Sequence, residues 1–130
     1  MTNAVNLAAV ASTTYGYANA TKLQSGGVTT NALAWVNFNG VTTTSIRASY
    51  NISSVTRNAT GDYTLNFTNA LADANYAAVA SGNGTTITNY GRILGPYGTA
   101  PTQSAYRFNS NDYAGTFTDL LYAFVVIFGN

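Results

Sequence analysis

The segment Asp119 to Phe128 (DLLYAFVVIF) constrains the fold more than any other. Read as a strand, it sends Leu120, Tyr122, Phe124, Val126 and Phe128 one way and Leu121, Ala123, Val125 and Ile127 the other. Successive strand side chains point to opposite faces, so a strand apolar on both needs cover on both. Two architectures supply it. The strand can be central in a two-layer sandwich, or one face can pack on its own core while the other meets a neighbouring subunit. For the second, Leu121, Val125 and Ile127 are the expected oligomer or packing face.

The rest of the chain also reads as strands. Thr and Tyr favour the pleated sheet, whereas Asn and Gly favour turns, and these four types dominate from end to end. Leu33 to Phe38 runs into the turn dipeptide Asn39-Gly40. Thr43 to Thr56 follows as one strand, then a turn at Asn58 to Gly61. In Asp62 to Phe67, Tyr63, Leu65 and Phe67 share one face and Thr64 and Asn66 the other, the alternation of a half-buried hairpin partner. Further strands are expected at Asn75 to Ser81, Thr86 to Leu94, Ser104 to Asn109 and Tyr113 to Thr118. No helical period or heptad recurs. The expected fold is all-β, an antiparallel β-sandwich or barrel-like module over residues 31–130.

Residues 1–30 differ. An apolar stretch, Ala4 to Ala11, carries Val5, Leu7 and Val10 and is followed by Gly26-Gly27, which reads as a flexible joint. A contiguous apolar arm is expected to dock on a partner. It is far shorter than the roughly 18 apolar residues that span a bilayer, so no membrane role is expected.

Charge narrows the function. Hydrophobic residues make up 46% of the 130, a globular value, but charged residues only 7% against roughly 25% in ordinary domains. Depletion of charge marks the cores of interfaces, so an assembling protein is expected; a Thr/Asn-rich surface that is soluble without charge is the alternative. Lys22, Arg47, Arg57, Arg92 and Arg107 are scattered and form no phosphate-binding run, which disfavours nucleic acid as a partner.

The catalytic inventory is thin. With no His and no Cys there is no imidazole acid or base, no thiolate and no usual zinc site. The four Asp, namely Asp62, Asp73, Asp112 and Asp119, each read as turn or strand-end residues rather than a paired acid and base. No enzymatic activity, cofactor or metal is expected. The run SGNGTT lacks the Lys and helix of a phosphate loop and reads as a hairpin tip. Trp35 reads as a core anchor beside Val36 and Phe38, with an exposed sugar platform as the alternative.

Three segments carry a family likeness: AWVNFNG (Ala34 to Gly40), SIRASYNISSVTRNATGDYTLNFTNAL (Ser45 to Leu71) and DANYAAVA (Asp73 to Ala80). Together they span about a third of the chain and resemble a module of phage tail-fibre-like proteins, seen especially in phages of cyanobacteria and marine bacteria. The resemblance implies an all-β virion protein, assembled in the host cytoplasm, and a homotrimer, since phage fibres are commonly trimeric. In those fibres the module tends to close a much longer chain, whereas here about thirty residues precede it. A capsid decoration or cement protein, or a short fibre component, is therefore expected. Its partners would be copies of itself and other capsid or tail proteins. A tail-fibre-type receptor-binding module for host surface glycans is the alternative.

Overall fold

The computed structural model describes residues 24–25, 28–29, 31–86 and 92–129. Val5, Leu7 and Val10 lie outside the described residues. The chain divides into two units, Met1–Asn31 and Ala32–Asn130. In the first, β1 (Gln24–Ser25) and β2 (Val28–Thr29) pair antiparallel on either side of the Gly-Gly sequence, with Ser25 opposite Val28.

The second unit is an antiparallel β-sandwich. Its strands are β3 (Ala34–Asn39), β4 (Ser45–Tyr50), β5 (Ile52–Ala59), β6 (Asp62–Phe67), β7 (Ala77–Asn83), β8 (Arg92–Pro96), β9 (Ala105–Asn111) and β10 (Tyr122–Phe128). Sheet one has the order β4-β3-β10-β7 and sheet two β5-β6-β9-β8, and every pairing is antiparallel. No helix occurs among the described residues.

Period-two patterning builds the core. Sheet one contributes Ala34, Val36 and Phe38 from β3 and Ala123, Val125 and Ile127 from β10; sheet two contributes Ile52, Val55, Tyr63, Leu65, Phe67, Tyr106 and Phe108. Phe38 meets Tyr63 edge-on with ring centroids 5.4 Å apart, and Tyr106 stacks on Phe108 at 5.8 Å. Tyr76, from the Asp73-Ala-Asn-Tyr run, packs between Phe67 and Tyr106. It is aimed there by an Asx turn in which the Asn75 N–H donates to Asp73 Oδ1. Its hydroxyl donates to the Ala105 carbonyl at 3.0 Å, and burial pushes its pKa up to about 12.

Several expectations are corrected. The stretch Thr43 to Thr56 is not one strand. Asn51 takes a left-handed backbone conformation, φ 55°, and the chain leaves sheet one there to enter sheet two. The Asn51 amide holds that corner by donating to the Leu33 and Asn69 carbonyls and accepting the Asn69 N–H. Tyr113 to Thr118 is a turn rather than a strand, with only Phe117 bridging to Asn111. Asp112 Oδ1 accepts the N–H groups of Ala114 and Thr116 and so folds the segment back on itself.

Asn39-Gly40 is also not a left-handed hairpin turn, because the positive φ of that loop falls on Thr42. Gly40 is required for space instead: a Cβ there would lie 2.6 Å from the Tyr63 hydroxyl oxygen. Leu120 does not share a face with Tyr122. The Leu121 N–H reaches both the Asn83 and Gly84 carbonyls, which breaks the alternation before β10 begins. Leu120 is thereby buried with Ala123.

Candidate functional site

Each sheet has an outer face, and that of sheet one is chemically opposite to the β5–β6 part of sheet two. On sheet two, Ser54 stands opposite Asn66 and Thr56 opposite Thr64. Asn66 Nδ2 donates to Ser54 Oγ at 2.9 Å and Thr56 Oγ1 at 3.3 Å, and Asn58 Nδ2 donates to Thr64 Oγ1 at 2.9 Å. This ladder of hydroxyls and amides satisfies itself and is content in water.

The outer face of sheet one is aromatic and aliphatic. Cross-strand register places Tyr50, Trp35, Val126 and Val79 in one row across all four strands. Ala48, Asn37, Phe124 and Ser81 form the next row, with Tyr122 opposite Asn83 and Phe128 opposite Ala77 toward the two ends. Trp35 is 38% exposed, Phe124 41% and Val79 62%. Tyr122 and Phe124 stack with centroids 6.5 Å apart and 13° between planes. They line a shallow depression of about 430 Å³ with Ser81, Gly82 and Asn83.

One cation reaches this face. A register shift between Asn37 and Phe38 leaves Arg47 as the extra residue of β4, and bulges of this kind re-aim a side chain. The Arg47 guanidinium lies 4.2 Å from the Tyr122 ring centroid and donates to the Leu121 carbonyl at 2.8 Å. No acidic side chain stands in these rows.

The carboxylates are committed elsewhere. Asp119 Oδ1 accepts from Gly61 N at 2.9 Å, Tyr63 Oη at 2.9 Å and Arg57 Nε at 3.0 Å, while Oδ2 takes Arg57 Nη2 at 2.9 Å. Burial alone would raise its pKa. The Arg57 guanidinium, with the Gly61 N–H and Tyr63 hydroxyl, outweighs burial and holds Asp119 below the usual carboxylate range. Asp62 is held low by Arg107, with a smaller contribution from Asn58. Asp62 does open β6 as expected, whereas Asp119 lies ahead of β10 rather than at its start; both also serve as ion-paired framework residues. Among the described residues no group of three His, Cys, Asp or Glu could hold a metal. No helix there is long and apolar enough to cross a membrane.

Of the expected oligomer or packing face, Val125 and Ile127 take the packing role within the chain. Val125 and Ile127 are fully buried against sheet two, and Leu121 is half-buried at the strand entry. The apolar face of β10 that stays open is Tyr122, Phe124, Val126 and Phe128. Trp35 belongs to this open face, not to the core. Adjacent strand residues cannot share a face, so a core containing Val36 and Phe38 excludes Trp35. That parity was the available signal. The chain matches no protein-family model, no curated protein and no solved structure.

Proposed function

We propose that this chain is a non-catalytic structural module of a bacteriophage virion, located in the particle. It assembles with copies of itself and with neighbouring capsid or tail proteins, as a decoration or cement subunit or a short fibre component. One observation supports the assembly role above all: an aromatic face, on which the Arg47 guanidinium lies over Tyr122, covers the outside of sheet one, while β5 and β6 of sheet two carry a self-satisfied polar ladder. The virion setting rests on the resemblance of residues 34–80 to phage fibre modules. The quoted motif residues serve as framework: Gly40 seats Tyr63, Gly61 and Asp62 turn and pin β6, and Tyr76 fills the core. The likeness therefore speaks for a shared scaffold and assigns no receptor contact. Mass-spectrometric copy counting on purified particles tests the reading. Hundreds of copies per particle mean capsid decoration and a handful mean a tail or fibre part. Absence from the particles overturns the proposal.

A second reading has its own support. Exposed Trp35 and the stacked Tyr122 and Phe124, flanked by the Asn37 and Asn83 amides, form the sort of surface on which sugar rings stack. Binding of the purified chain to host surface glycans, lost on Trp35→Ala, would favour a receptor-binding module.

A further inference from the structure

We infer that the outer face of sheet one is the surface by which the chain packs, face to face, on a second copy of itself. The inference rests on the assembly role proposed above and names the surface and its occupant. Area is the first argument. Trp35, Tyr50, Tyr122, Phe124 and Phe128 are all exposed on this face together with Val79. With aromatic side chains of about 200 Å² each, they leave on the order of 500 Å² of apolar surface open. That lies near the upper end of the patches found on monomers. Two such faces in contact bury about 1,000 Å² of apolar surface before their polar neighbours are counted, which is the range a specific interface needs.

Charge is the second argument. A two-fold contact brings the same patch to itself, so a patch with a large net charge meets its own sign. Among the described residues this face offers only Arg47, already placed over Tyr122 and bonded to the Leu121 carbonyl. A partner chosen by charge complementarity would need acidic groups aimed at one stacked guanidinium, whereas a second copy needs only matching rings and methyls. Sheets also pack on sheets about 10 Å apart with strands nearly aligned, as the two sheets of a sandwich do. The polar ladder on sheet two is the internal contrast, since it has nothing to gain from such burial.

Sedimentation velocity of the full chain at micromolar concentration is the test, alongside circular dichroism. The wild type should sediment as a dimer. Phe124→Asp and Val79→Asp change exposed positions, so both proteins should stay folded. Each should raise the dissociation constant by at least about tenfold, because apolar contact is lost and a carboxylate must be desolvated on association. Val79→Ser, a gentler change, should weaken the dimer in the same direction. Ser54→Asp, on the polar face, should leave the dimer intact. A monomeric wild type, a three-fold species, or dimers unaffected by both Phe124→Asp and Val79→Asp would overturn the inference. A wild-type monomer that is nevertheless counted in purified particles sinks this packing and leaves the virion role standing. A dimer absent from particles does the reverse.

Discussion

At the scale of single residues, Gly40 and Asp119 hold the most. A methyl at Gly40 would press into the Tyr63 ring, and its backbone has no left-handed φ to complicate the reading. Gly40→Ala should therefore cost about 1–3 kcal/mol by overpacking alone, read as a lower urea midpoint at unchanged slope. Asp119 gathers the Gly61 N–H, the Tyr63 hydroxyl and Arg57 at one buried point. Asp119→Ala leaves the Gly61 N–H and Arg57 Nε without their acceptor, while Tyr63 keeps the Gly40 carbonyl, and should cost about 3 kcal/mol. Its folded pKa is depressed, so its contribution is complete above the ordinary carboxylate value of 3.8 and is lost as pH falls through the folded value. The wild type should lose stability below about pH 4, where Asp119→Asn shows a shallower slope; an equal slope would remove Asp119 from the linkage. These roles were hard to read from the sequence. Asp73 and Asp112 do cap local turns, as their Asn and Gly neighbours suggest. The partners of Asp119 and Asp62 lie 62 and 45 residues away, and no local pattern announces them.

At the scale of elements, strand interiors were legible and strand junctions were not. The alternation read in Asp62 to Phe67 appears unchanged as burial, whereas the alternating burial of Ala34 to Asn39 puts Trp35 outside the core expected for it. The corner at Asn51 was invisible because Thr, Ser and Tyr on both sides keep a strand-like composition through a change of sheet. Asn is among the few residues besides Gly that tolerate its backbone, and here the amide also ties β4 and β5 to Leu33 and Asn69. Asn51→Ala should cost about 2 kcal/mol through strain and lost hydrogen bonds. Asn51→Gly, which removes the strain but not the lost bonds, should recover part of it. Thermal midpoints of the two variants in the reverse order would refute this account of the corner. The break at Leu121 has the same origin: a carbonyl pair from the end of β7 captures one N–H and resets the parity that DLLYAF suggests.

At the scale of the whole molecule, the doubly apolar segment proves to be the central strand of one layer, with one face on the core and the other open. The composition announced that something apolar needed cover, but which face stayed open depended on a parity reset one residue long. The two faces of β10 should thus respond in opposite ways. Val125→Asp buries a carboxylate against sheet two and should abolish folding, seen as loss of the cooperative thermal transition. Phe124→Asp, one residue away, should keep a cooperative thermal transition; if both variants lose it, the assignment of inner and outer faces is wrong. The position of β10 also sets a schedule for synthesis. It pairs with β3, made some ninety residues earlier, and with β7 on its other side. Until residues 122–128 leave the ribosome, β3 and β7 each present a bare hydrogen-bonding edge to every neighbouring nascent chain. Sheet one therefore closes only once β10 has emerged, and a cell making many copies at once must keep half-made chains apart until it does.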